Sequence, residues 1–98
     1  MPNRSIYRLE QRRLEWSQKV SDLNRIIRTA LSQLRFLSEL WRKQKYDEGR
    51  RLIGQLILLR NTILTTIENI NREYPARQIS NYIIKQVEEF SAGLDELR

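Results

Sequence analysis

No cysteine and no histidine occur among the 98 residues. The first absence excludes a disulfide framework and a thiolate metal site. The second removes the commonest neutral-pH general base and the commonest metal ligand. Together they leave no nucleophilic dyad or triad of the usual kind. Only three glycines are present, each isolated, so no glycine-rich loop can cradle a phosphate. The carboxylate pairs Asp47/Glu48, Glu88/Glu89 and Asp95/Glu96 are chain neighbours, and neighbours on a helix point apart. They read as solvated faces, not as acid/base pairs or metal clamps. The expectation is a protein that is not an enzyme and needs no cofactor or metal. No run of 18 apolar residues is present to span a bilayer. The opening Met1-Pro2-Asn3-Arg4-Ser5 lacks the apolar core of a secretory signal, which makes a cytoplasmic or nuclear location the expectation.

What the chain does have is a rhythm. Trp16, Val20, Leu23, Ile27, Ala30, Leu34, Leu37 and Trp41 follow one another at steps of three or four. That spacing keeps all of them on one stripe of an α-helix, the signature of a helix–helix seam. The first helix is expected from about Ser5 to Lys43, capped by Asn3 or Ser5, with Ile6 and Leu9 extending the seam and Arg13 interrupting it. Leu14, Ile26, Leu31, Phe36 and Leu40 widen the stripe enough to touch more than one neighbour.

Lys43–Gly49 is polar and forms the first break, with Asp47 and Glu48 suited to the positive end of the next helix. The second helix is expected from Asp47 to Glu73, with a seam of Leu52, Leu56, Leu59, Ile63, Ile67 and Ile70. The run Leu52–Leu59 is apolar on nearly every face and is expected to be buried on several sides. Tyr74-Pro75 forms the second break. Pro75 suits the first turn of a third helix, from about Ala76 to Ser91, carrying Ile79, Ile83, Val87 and Phe90. Gly93 ends that helix, or else Leu94 and Leu97 continue its stripe into a tail reaching residue 98. The fold class is all-α: one domain over residues 1–98, an antiparallel hairpin of two long helices plus a shorter third.

Helix lengths carry a further implication. Folded back from the turn, the second helix reaches only to about residue 17, so the start of the first helix overhangs. A second copy covering Ile6, Leu9 and Leu14 would remove that exposure, which points to a homodimeric helical bundle or coiled coil.

The net charge of +6 is unevenly placed, with +8 over residues 1–60 and −2 over 61–98. A basic front of this kind suits a polyanionic partner. Arg28, Arg35 and Arg42 recur every seven residues, about 10.5 Å apart along a helix axis. Arg25 and Lys43 flank them, Ser21 and Ser32 lie between, and Arg50 and Arg51 add charge near the hairpin tip. Evenly spaced arginine forks on a rigid helix can follow a phosphate backbone without reading bases. These seven residues form the expected nucleic-acid site. Arg4, Arg8, Arg12 and Lys19 form a second line, and Glu15, Asp22 and Glu39 interrupt both. Trp16 and Trp41 belong to the seam, so no aromatic platform for single strands is present, and duplex binding, possible with RNA as well as DNA, is the form expected.

The rival reading is a protein-interaction or assembly module that receives a partner helix, of the kind found in viral or phage accessory factors, secretion components and scaffolds. Lipid-surface binding fits less well, because the seam is heptad-regular. The hairpin, the short third helix after Pro75 and the arginine rows resemble in outline the small helical silencing suppressors of insect nodaviruses, an organisation that implies a dimer laying a basic face on double-stranded RNA.

Overall fold

Nothing between Arg4 and Arg42 breaks a helix: the segment has neither glycine nor proline, and its β-branched residues are scattered. The computed structural model describes residues 4–98, with side chains from Ile6 onward. Its three helices are α1 (Arg4–Arg42), α2 (Tyr46–Glu73) and α3 (Asn81–Leu97), with no strand among the described residues. Of the two expected caps, Asn3 lies outside the described residues and Ser5 falls inside the first turn of α1. The all-α hairpin with a shorter third helix is the fold observed, and its first two helices begin and end within one residue of expectation.

The hairpin turn is a Schellman motif. Lys45 N–H donates to Leu40 O at 2.8 Å and Gln44 N–H to Trp41 O at 3.0 Å, which satisfies carbonyls the helix end would orphan. Gln44 sits at φ 61°, in the left-handed position that usually belongs to glycine. α2 then returns antiparallel. At the tip Gly49 lies buried beneath the Trp41 ring, where a Cβ would stand 2.4 Å from a ring carbon. At the far end Lys19 Nζ donates to Glu73 Oε2 at 2.7 Å, and Arg12 Nη2 donates to Glu73 O at 2.8 Å.

The third helix starts later than expected, at Asn81 and not Ala76. Pro75 does not open a helix: Arg77 N–H donates to Tyr74 O at 3.1 Å, so Pro75 occupies the second position of a turn, which needs the same φ. The chain then runs without regular structure to Ser80, whose backbone is extended and whose hydroxyl accepts from Ile83 N–H and caps α3. Nor does α3 end at Ser91. It passes Gly93, where a Cβ would lie 2.6 Å from Leu34 Cδ2, and continues because Leu94 is fully buried. Trp41 Nε1–H donates to Leu97 O at 2.6 Å, so α3 lies alongside α1 in the same direction.

The core is the predicted seams meeting. Leu23, Ile27 and Leu37 of α1, Leu56 and Ile63 of α2, and Phe90 and Leu94 of α3 are fully buried, each removing roughly 1.5–3 kcal/mol of apolar exposure. Trp16, Val20, Leu34 and Trp41 complete the α1 stripe from its edges. One apolar expectation fails. Leu58, within the run expected to be buried on several sides, is 67% exposed, because α1 and α3 cover α2 from one side only. Of the residues expected to widen the α1 stripe, Leu40 is core and Ile26 and Leu31 pack partly buried against it, while Leu14 and Phe36 face water. As the helix lengths required, α1 overhangs. Ile6, Tyr7, Leu9 and Leu14 all face water, in a molecule 67 Å long and 18 Å across.

Candidate nucleic-acid interface

The face of α1 opposite its buried stripe is free of other helices. From helical spacing it carries Ser21, Arg25, Arg28, Ser32, Arg35, Phe36, Glu39 and Arg42, and Lys43 follows in the turn directly after the helix. Every one of these side chains is exposed. Five of the seven candidate cations therefore share one rigid surface about 27 Å long.

Their electrostatic states differ. Arg25 Nη2 binds Asp22 Oδ1 at 2.7 Å, and Arg42 Nη2 binds Glu39 Oε2 at 2.5 Å, each one turn back on its own helix. The Arg42 hydrogen bond holds the Glu39 carboxyl below the usual carboxylate range and raises Arg42 in turn. Arg28, Arg35 and Lys43 have no ion-pair partner among the described residues. A free guanidinium in water keeps its whole donor fork available, whereas a paired one must exchange a carboxylate for a phosphate.

Arg50 and Arg51 are not brought to this surface. They lie on the first turns of α2, and Arg50 is tied to Asp47. Arg51 stands on the side of α2 opposite Leu52, Leu56 and Ile63, the residues with which α2 packs on the rest of the bundle. Both stand at the hairpin tip, on the helix that begins directly after the turn carrying Lys43.

The second basic line has another employment. Arg12 caps the C-terminal carbonyl of α2 and its guanidinium lies 4.7 Å from the Tyr74 ring centroid. Lys19 binds Glu73, and that hydrogen bond lowers the Glu73 carboxyl and raises the Lys19 ammonium. Arg77 lies over the Trp16 ring at 5.4 Å. These cations fasten α2 and the α2–α3 turn onto α1. Arg13 is held by Glu10, whose carboxyl it lowers. Arg4 lies outside the described side chains.

Acidity collects on α3, whose Glu88, Glu89 and Glu96 are exposed and unpaired among the described residues. The surface thus has a basic side on α1 and an acidic one on α3. Among the described residues no cluster of three carboxylates stands close enough to hold a metal ion, and no helix is long and apolar enough to cross a membrane. No protein-family model, curated protein or solved structure significantly matches the chain.

Proposed function

We propose that the protein is a non-enzymatic helical dimer that binds duplex nucleic acid through the outward face of α1, by phosphate contacts and without sequence preference. The observation that carries this reading is Arg28 and Arg35. They stand exposed, free of carboxylate partners, one heptad apart on an unbroken helix, with Ser32 between them. Arg25, Arg42 and Lys43 extend the row, and Ser21 and Ser32 add neutral donors of the kind used on phosphate oxygens. The row lies along one rigid helix, so its arginines are held in fixed positions to contact phosphates on a duplex surface without reading bases. Dimerisation belongs to the reading because a chain of this size leaves Leu58, Leu64 and the overhang residues in water.

The test is a mobility-shift series with duplex RNA, duplex DNA and single strands, each at two salt concentrations. Binding to duplexes that weakens steeply with salt and hardly changes with sequence supports the reading. Failure to bind any duplex at about 50 mM salt overturns it. A second reading, a protein-interaction module, draws on the overhang. Ile6 and Leu9 continue the α1 seam beyond the end of α2 and stand exposed, as a helix awaiting a partner helix would.

A further inference from the structure

The outer face of α2 is unlike the rest of this highly charged surface. Between Arg51 and Glu68 its only charged residue is Arg60, which turns inward to Asp95 of α3 at 2.9 Å. The outward positions are Gly54, Leu58, Asn61 and Thr65, flanked by Gln55 and Thr62, and Leu58 is two-thirds exposed. No atom outside the helix comes within 4 Å of where a Gly54 Cβ would be, so nothing inside the monomer requires a glycine there. The Thr62 hydroxyl donates to Leu58 O at 3.1 Å and the Thr66 hydroxyl to Thr62 O at 2.7 Å, so both hydroxyls are spent on their own helix.

Extended in both directions, this stripe reads Asp47, Arg51, Gly54, Leu58, Asn61, Thr65, Glu68, Arg72. The steps alternate four and three throughout, as in a coiled-coil seam. The stripe is also complementary to its own reverse. Laid antiparallel on a second copy about a two-fold axis between Leu58 and Asn61, Asp47 of one chain meets Arg72 of the other, and Arg51 meets Glu68. Gly54 meets Thr65, and Leu58 meets Asn61. Both charged pairs are opposite in sign, and the two-fold axis makes each occur twice. A parallel arrangement opposes every charge to itself. Sliding the antiparallel register by one heptad in one direction sets Glu68 against Leu58, and in the other leaves none of the four charges opposed to its complement. Arg51 and Glu68 have no ion-pair partner among the described residues of the monomer.

We infer that the outer face of α2 is the interface with a second copy of this chain, packed antiparallel about an axis between Leu58 and Asn61. Gly54 and Thr65 let the two backbones approach, Leu58 supplies the central apolar contact, and the outer charges select direction and register. This rests on the dimer in the proposed function and names its surface. It does not depend on nucleic-acid binding, since the α1 face lies on another side of the bundle.

The experiment is sedimentation equilibrium of the full chain, free of nucleic acid, at micromolar concentration and moderate salt, with helicity checked by circular dichroism. The wild type is expected at twice its 11.9 kDa mass. Leu58→Arg is expected at the monomer mass with unchanged helicity. Glu68→Arg, which turns two attractions into two repulsions, is expected to weaken the dimer about tenfold. The double variant Arg51→Glu with Glu68→Arg is expected to recover most of that loss. Recovery by the swap is a result no general loss of helix stability produces. A monomeric wild type overturns the inference. So does a dimer indifferent to Leu58→Arg and Glu68→Arg, which would put the second copy on the α1 overhang. Loss of duplex binding with the dimer and the swap intact would instead count against the nucleic-acid reading alone.

Discussion

Between Ser21 and Lys43 the outward face of α1 carries Arg25, Arg28, Arg35, Arg42 and Lys43, while the outward face of α2 from Gly54 to Thr65 carries no charge at all. Both faces stand on the same core and both belong to long, regular helices. Helix propensity favours the α1 row, since arginine is a good helix former, whereas Gly54, Asn61 and Thr65 are poor ones, so the α2 face is not explained by what its own helix needs. The difference lies in what each surface costs to leave in water and what each offers a partner. Arginines are well solvated alone and gain from phosphate. A row of Leu, Thr and Gly gains from another apolar surface approaching closely. One chain thus presents one face suited to a polyanion and another suited to itself.

That comparison is broken most completely by destroying the core on which both faces stand. Ile63 is fully buried between the helices. Ile63→Asp places an unpaired carboxylate there at a cost of several kcal/mol, comparable with the stability of a domain this small. Thermal melting should show an unfolded or barely folded chain with both surfaces lost; a wild-type melting curve would mean the seam is misassigned.

A sharper contrast comes from the two glycines on opposite sides of α2. Gly49→Ala drives a methyl into the Trp41 ring, which is pinned by its hydrogen bond to Leu97 O and by Tyr46 at 6.0 Å. Overpacking should exceed the gain in helix propensity and lower stability by roughly 1–2 kcal/mol. Gly54→Ala meets nothing in the monomer, and at concentrations below dimerisation should raise stability by up to about 1 kcal/mol. Denaturant titrations giving the same sign for both would erase the distinction between the inner and outer faces of α2.

The turn joining the two faces offers a smaller effect. Gln44→Gly relieves the left-handed backbone at φ 61° and should stabilise by roughly 0.5–1 kcal/mol, part of the gain being returned as chain entropy. A lower midpoint in urea would mean that the Gln44 side chain contributes more than its backbone costs.

The finest adjustment is within the α1 row. Glu39→Gln frees Arg42, and should strengthen duplex binding and steepen its salt dependence by up to about one unit. Acidification should act in the same direction. Because Arg42 depresses the Glu39 carboxyl, that pair contributes to the folded state at neutral pH, and its contribution is lost as pH falls through the lowered value. Binding by Glu39→Gln no tighter than wild type at neutral pH would show that Arg42 takes no part.

Much of this architecture was legible in the order of residues. The three- and four-residue steps from Trp16 to Trp41 and from Leu52 to Ile70 reveal two helices and their inner faces, because helical geometry leaves such a pattern no other efficient burial. The start of α3 was not legible, since Pro75 fits both a helix N-terminus and a turn with the same φ, and only the packing of Tyr74 and Ile79 decides. The Arg28–Arg35–Arg42 row could be read because its members share one helix. The pairing of Arg50 with Asp47 could not, as it depends on side-chain rotamers at the start of α2. Which cation each carboxylate takes was equally hidden: Glu39 has Arg35, Arg42 and Lys43 within reach along the chain, and rotamer geometry gives it to Arg42. The role of Arg12 and Lys19 in fastening α2 emerges only once Glu73 is seen beside them.

The central claim is that the arginine row on the outward face of α1 holds phosphates, and the salt dependence of duplex binding tests it most directly. Association constants for wild type and for the triple variant Arg28→Ala, Arg35→Ala, Arg42→Ala should be measured by fluorescence anisotropy from about 50 to 200 mM salt. The account predicts a steep linear fall of log K with log salt for the wild type. In the variant the slope should be shallower by about two to three, with helicity and melting temperature unchanged. A triple variant that binds with the wild-type constant and the wild-type slope would contradict it.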